Sequence, residues 1–390
     1  MARKIHLAQR MDDIQPFHVM DILARARQLE AEGRSIVHLE IGEPDFATAE
    51  TIIQAGQLAL QNRHTHYTPT LGLPALRQAI ADDYQRRFSI QVPASRIVIT
   101  PGASGALHLA LAVLVNPGEE VLMADPGYPC NRHFVRLLEG QSRNIAVTEA
   151  TDYQLTAALL DHNWSDNSVA AMLASPSNPT GTLVTGPQMQ AMIEVVDARG
   201  GRLLVDEIYQ GLSYGVDEFS CLQLTDQAFV INSFSKYYGM TGWRLGWLVV
   251  PEAYVDAVDR LAQNIFLAAP TLSQHAALAA FSDDTRLILD QRRDEFRRRR
   301  DYLLPELKAM GFEIPVTPQG AFYIYANSSR FSQDSHVFVN QLLEQAGVAV
   351  TPGIDFGAFN AQQYVRFAYT RPIEVLEEGV KRIREFIKNC

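Results

Sequence analysis

Phe229-Val230-Ile231-Asn232-Ser233-Phe234-Ser235-Lys236-Tyr237-Tyr238-Gly239-Met240-Thr241-Gly242-Trp243-Arg244 sets how the rest of the chain is read. It opens as an apolar, β-branched run, the composition of a strand covered on both faces. It then turns abruptly to two serines, a lysine and an arginine. A lysine ordinarily belongs on a solvated surface. Holding its ammonium beyond a buried strand, among aromatic neighbours, is costly and lowers its pKa, which is what a lysine needs to form a Schiff base.

Outward from this stretch, between Ala94 and Val250, one unit repeats: a short apolar run, a polar or Gly/Pro turn, then a helical periodicity. The runs Arg96–Thr100, Glu120–Met123, Val169–Leu173, Arg202–Val205 and Phe229–Asn232 predict strands of a mainly parallel sheet. Ala106–Val115, Asn131–Leu138 and Pro187–Ala198 predict the crossover helices. The fold class is therefore α/β, a three-layer α/β/α unit. Long charged helices at Asp283–Met310 and Ile373–Lys388, with short strands at Phe322–Tyr325 and Tyr364–Phe367, predict a smaller α+β domain. The amphipathic stretch Pro16–Glu32, stopped by Gly33, is expected to pack on it. The expected division is 46–280 for the large domain, with 1–45 and 281–390 together forming the small one.

In an open parallel sheet, ligands bind beyond the carboxyl ends of the strands. The residues ending the runs form a coherent set. Pro101-Gly102-Ala103-Ser104-Gly105 suits an anion approaching backbone N–H groups at a helix N-terminus, although a tight turn would read the same way. Ser175-Pro176-Ser177-Asn178-Pro179-Thr180-Gly181 is a proline-fixed turn carrying Asn178 over the sheet edge. Asp206-Glu207-Ile208-Tyr209 sets a carboxylate at a strand end and a phenol three residues on, a pattern also served by a helix cap or an ion pair.

The 390 residues carry 34 Lys and Arg against 44 Asp and Glu, a net charge of −10, so a nucleic-acid partner is disfavoured. The one basic concentration, Arg292–Arg300, also holds Asp294 and Glu295 and is expected to be a solvated, ion-paired helix face. Cys130, Cys221 and Cys390 form no metal or redox pair, Met1–Lys4 is followed by no apolar signal core, and no uncharged run of about eighteen residues could span a bilayer. A cytoplasmic protein with no membrane partner is expected.

These motifs, in this order, resemble the class I aminotransferases, the aspartate aminotransferase-like enzymes of fold type I that use pyridoxal 5′-phosphate. The resemblance runs from Ile41-Gly42-Glu43-Pro44-Asp45 to Tyr364-Val365-Arg366-Phe367 and rests on Ser233-Phe234-Ser235-Lys236 with Arg244, the Asn178 turn, Asp206 with Tyr209, and Arg366. It implies that Lys236 holds the cofactor covalently and then moves a proton as base and acid. Asp206 would pair with the pyridine nitrogen, and Tyr209 and Asn178 would bond the phenolic oxygen. Tyr128 would stack on the ring. Ala103 and Ser104, the Ser233 and Ser235 hydroxyls and Arg244 would hold the phosphate. Arg366, with Asn178 and the Gly42 backbone, would hold the substrate α-carboxylate. Tyr67 resembles the tyrosine that reaches the neighbouring subunit's phosphate, which implies a homodimer with shared sites.

The implied activity is transfer of the amino group of an L-amino acid to a 2-oxo acid, 2-oxoglutarate or pyruvate, with the cofactor alternating between pyridoxal and pyridoxamine phosphate. A β-elimination from a cysteine conjugate is an alternative use of the same fold, and a cofactor-sensing regulator is another. The regulator needs a DNA-binding domain ahead of Tyr67, which the acidic segment there does not supply. No counterpart is legible for the partner arginine that reads a dicarboxylate's second carboxyl. Phe17, Phe266 and Leu267 are expected to wall an apolar pocket.

Overall fold

The structure, a computed structural model, describes residues 6–388; the basic start Met1–Lys4 and Cys390 lie outside the described residues. The strands are β1 (Val37–His38), β2 (Ile97–Thr100), β3 (Glu120–Asp125), β4 (Gln141–Ala146), β5 (Ser168–Ala174), β6 (Arg202–Asp206), β7 (Phe229–Ser233), β8 (Gly246–Val249), β9 (Tyr323–Asn327), β10 (Val348–Ala349), β11 (Thr351–Pro352) and β12 (Tyr364–Ala368).

Seven of them form the central sheet, in the order β2-β8-β7-β6-β5-β3-β4. The pairs from β7 through β6, β5 and β3 to β4 are all parallel. Alternate residues feed opposite faces. Leu203, Val205 and Val230 pack with Met189, Met192 and Ile193 of the helix Gly186–Ala198, while Leu204 and Ile231 pack with Ala106, Leu107 and Ala110 of the helix Gly102–Leu114. Both faces are thus covered by helices, which gives the three-layer α/β/α arrangement and explains why these strands are apolar throughout.

One strand departs from the repeat. β8 runs antiparallel to both β7 and β2, so β2 has no parallel neighbour. The cause lies in the connection. A parallel return needs a crossover of a dozen or more residues, usually a helix. Here Phe234 N–H donates to Leu245 O at 3.1 Å and Met240 N–H to Phe234 O at 3.0 Å, folding the lysine segment back on itself. The chain re-enters the sheet beside the strand it left.

A second sheet, β11-β12-β9, is antiparallel, and β1 pairs in parallel with β10. Ile22, Ala26 and Leu29 of the helix His18–Ala31 share one apolar cluster with Leu303 and Leu307 of the helix Asp283–Met310, Ile324 of β9, Phe367 of β12, and Leu376 and Ile383 of the helix Ile373–Ile387. Asp355 fixes the start of the first of these helices, accepting from the His18 and Val19 N–H groups at 2.9 Å each.

The Arg292–Arg300 face is only partly solvated. Arg298 is an exposed partner of Glu295 at 2.8 Å, and Arg293 a half-buried partner of Asp290 at 2.9 Å. Arg299 instead turns inward at 3% side-chain exposure, pairing with Asp45 at 2.8 Å and Glu295 at 2.9 Å while its guanidinium lies against the Phe46 and Phe296 rings. The correction follows from a partner that helical spacing cannot reveal: Asp45 comes from the other end of the chain, and a buried cation survives only when paired. Cys130 and Cys221 are free, and among the described residues no helix is long and apolar enough to cross a membrane.

Candidate active site

A cavity of about 430 Å³ opens at the carboxyl ends of β6 and β7, where the two sheets meet. It is lined by Gly42, Ala103, Ser104, Tyr128, Asn178, Asp206, Tyr209, Ser233, Ser235, Lys236, Arg244 and Arg366, residues from stretches as far apart in the chain as Gly42 and Arg366 drawn to one place by the sheet edge. Tyr67 is not among them. It is 81% exposed, in a segment tied to the helix Thr271–Ala277 by Thr271 Oγ1 donating to His66 O at 2.9 Å and Gln274 Nε2 to Thr68 Oγ1 at 3.0 Å. Phe17 forms part of the cavity wall, with Val19 and Met20. Phe266 and Leu267 do not line this chain's cavity: Phe266 packs beneath the helix Gly102–Leu114, and Leu267 is exposed at the end of the helix Val255–Ile265.

Lys236 follows β7 and reaches across the cavity, its Nζ donating to Gly42 O at 2.7 Å. Burial lowers its pKa from 10.5 to about 8; Glu43 opposes that shift, and Arg366 and Arg244 reinforce it. This has a measurable consequence for the cofactor-free protein. Below pH 8 folded and unfolded chains both hold the proton, and the folded chain bears the full cost of enclosing it. Between about pH 8 and 10.5 the unfolded chain binds more protons, so this site's contribution to stability rises with pH. Lys236→Met should therefore raise the melting temperature at pH 7, with the gain fading towards pH 10.5. Melting curves of both proteins across that range check it; a difference independent of pH would contradict it.

Asp206 ends β6. Its Oδ1 accepts from Ile208 N–H at 3.0 Å, and burial raises its pKa to about 6, against the opposing effects of that bond and of Lys236. A buried carboxylate in this condition is stabilised by a cation. Tyr209, one turn on, is buried, and its hydroxyl lies 2.9 Å from that of Tyr323.

On the opposite side, Ala103 and Ser104 begin the helix Gly102–Leu114, whose first N–H groups have no partner within the helix. Arg244, in the left-handed region at φ 53°, lies over this turn; a Cβ added at Gly102 would come within 2.7 Å of its Nη2. A Cβ at Gly246 would meet Ala103 N at 2.9 Å, so glycine lets β8 and the helix start approach. Ser233 Oγ donates to Ser235 Oγ at 3.0 Å and accepts from Ser235 N–H at 3.0 Å.

Arg366 lies in β12 at 3% exposure. Its Nη1 donates to Asn178 Oδ1 at 2.9 Å and its Nη2 to Glu40 O at 2.7 Å, while its Nε is buried without a partner. A guanidinium so placed retains donor capacity for a carboxylate. Tyr323, Glu43 and Thr241 also line the cavity, Thr241 Oγ1 donating to Glu43 Oε1 at 2.6 Å. Sequence reasoning gave none of the three a role. Tyr323 had only the mark of a β-strand, although strand alternation and the pairing of β9 with β12 put it on the diagonal from Arg366.

A lysine amine and a carboxylate beside a helix N-terminus and two arginines, all at the carboxyl edge of a doubly covered sheet, define the class of fold-type I pyridoxal 5′-phosphate enzymes. The donor set fits that group, with a cation-seeking carboxylate, a lysine of lowered pKa and an anion-binding turn on facing walls. The chain belongs to the class I and II aminotransferases, whose family pattern matches residues 34–383, and it is a pyridoxal 5′-phosphate-dependent transaminase. It is 39% identical over 377 residues to the valine–pyruvate aminotransferase of Mycobacterium tuberculosis, covering 96% of this chain and 97% of that one. It is 37% identical over 384 residues to the (5-formylfuran-3-yl)methyl phosphate transaminase of Methanocaldococcus jannaschii, covering 98% and 99%. The crystal structure of an aminotransferase from Mycobacterium tuberculosis superposes with a TM-score of 0.96 at 37% identity over 99% of this chain and all of that one.

Proposed function

We propose that this chain transfers the amino group of an L-amino acid to 2-oxoglutarate or pyruvate, and that Lys236 is its proton carrier. The observation that carries the reading is the convergence on one cavity of Lys236, Asp206 and Arg366, from three separate strands or strand ends. Pyridoxal 5′-phosphate supplies, when bound, a carbonyl that takes up the amine and a ring that accepts the electrons left at Cα.

Arg366 and the Asn178 amide hold the substrate α-carboxylate, which fixes the Cα–H bond relative to Lys236. With Asn178 Oδ1 engaged by Arg366, its NH2 is left to donate to the cofactor's phenolic oxygen, together with Tyr209. Lys236 Nζ would take the proton from Cα as base and deliver it to the cofactor's C4′ as acid, the transfer that leaves the amino group on the cofactor. Asp206 would pair with the ring nitrogen and favour its protonated form, Tyr128 would pack against the ring, and the Ala103 and Ser104 N–H groups, the Ser104, Ser233 and Ser235 hydroxyls and Arg244 would hold the phosphate.

The wall of Phe17, Val19 and Met20 favours donors with an apolar side chain, and the Mycobacterium tuberculosis relative, a valine–pyruvate aminotransferase, is compatible with that choice. A half-reaction survey of the standard amino acids, following the cofactor's absorbance, tests the proposal. Apolar donors should react at least about tenfold faster than aspartate, since the wall of Phe17, Val19 and Met20 would desolvate a second carboxylate without pairing it. Equal rates for aspartate would oppose it.

The same reading makes the active unit a cytoplasmic homodimer with Tyr67 acting across the interface, and divides each chain at residues 46 and 280. Tyr67 lies outside its own chain's cavity, on an exposed segment. Mixing Lys236→Ala with Tyr67→Ala protein should, after subunit exchange, restore activity, because one site of each heterodimer then holds both native residues. Confirmed exchange with no return of activity, or a fully active monomer, would rule out the shared site.

A further inference from the structure

We infer that Tyr323 is a positioning residue that couples the Tyr209 phenol to the Arg366 clamp; this rests on the aminotransferase reading of the cavity. Tyr323 is 1% exposed and touches three parts of the site at once. Its hydroxyl lies 2.9 Å from the Tyr209 hydroxyl. Its ring carries the Arg366 guanidinium, centred 4.2 Å from the ring centroid. The hydroxyl also fills the space beside Gly42, where a Cβ would overlap it, and it is the Gly42 carbonyl that accepts from Lys236 Nζ.

The hydrogen-bond arithmetic gives the hydroxyl a direction. A phenol has one proton to donate. If Tyr209 spends its proton on the cofactor's phenolic oxygen, it can take part in the 2.9 Å contact only as acceptor, so Tyr323 must donate. A donor chain of two phenols polarises the second and strengthens its outward bond. The ring serves a different purpose. Arg366 has one buried nitrogen without a partner, and the aromatic face fixes its plane without consuming any N–H that a carboxylate needs. The hydroxyl therefore acts on the cofactor and the ring on the substrate, and substitutions can separate the two.

Tyr323→Phe keeps the ring and removes the donor. It should raise the pH midpoint of the bound cofactor's absorbance change by about half a unit and lower kcat about fivefold, with the donor's KM within about twofold of wild type. The rise follows because a weaker bond to the phenolic oxygen leaves more electron density for a proton on the neighbouring nitrogen. Gly42→Ala, which displaces the hydroxyl while leaving both tyrosines, should move the midpoint in the same direction. Tyr323→Leu, or Tyr323→Met if the leucine variant does not fold, removes the ring and should also raise KM on the order of tenfold. A Phe variant with native melting and an unchanged midpoint overturns the coupling to Tyr209. A folded Leu or Met variant with native KM overturns the coupling to Arg366. Wild-type protein that takes up no cofactor would instead fail the underlying aminotransferase reading, so the two failures are distinguishable.

Discussion

Lys236→Ala should turn over on the order of 10⁴-fold more slowly than wild type while keeping its fold, because the variant loses the group that moves the proton at Cα. Lys236→Arg is the informative companion. It retains a cation in the same cavity, but a guanidinium does not deprotonate in a protein, so it cannot take up a proton. Both variants should be equally inactive, since the account assigns the rate to the proton and not to the charge. Single-turnover kinetics with saturating cofactor separates these cases. An arginine variant within about tenfold of wild type would mean that Lys236 acts only as a positive charge.

Asp206→Ala should reduce turnover by about 10² to 10³-fold and weaken cofactor retention at the same time. Both effects come from one removed charge. The carboxylate is buried at the end of β6 with a pKa raised to about 6, and a protonated ring nitrogen would offer it the cation that its surroundings lack. Without it, the nitrogen loses its proton and the ring withdraws electrons less strongly. Asp206→Glu restores the charge but lengthens the side chain in a close-packed site, so an intermediate rate is expected. Equilibrium dialysis of the cofactor, measured beside kcat, checks both halves. Normal retention with a normal rate in the alanine variant would remove Asp206 from the mechanism.

The parts of this protein legible in the sequence are those where one local pattern has one structural meaning. Continuous apolar runs such as Leu203–Val205 mark strands buried on both faces, and the turns after them mark the functional edge. What was not legible depends on partners far along the chain. β4 lies at the sheet edge, with Gln141, Asn144 and Ala146 exposed and Ser142 and Arg143 half-buried, so its residues carry no apolar run. β8 is apolar, but nothing in Gly246–Val249 tells that it runs against its neighbours; that follows from how the lysine segment folds back. Arg299 is buried by Asp45, 254 residues away. Tyr323 reads as one aromatic among several in a strand, and its place becomes evident only when β9 lies beside β12 and the Tyr209 turn closes over it.

The most direct measurement of the central claim is chemical. Cofactor-loaded protein is reduced with borohydride, digested, and its peptides are mapped by mass spectrometry. The account predicts an irreversible loss of the visible absorbance and one pyridoxyl label, on Lys236. A label on a different lysine, or none in protein that has demonstrably bound the cofactor, would contradict it.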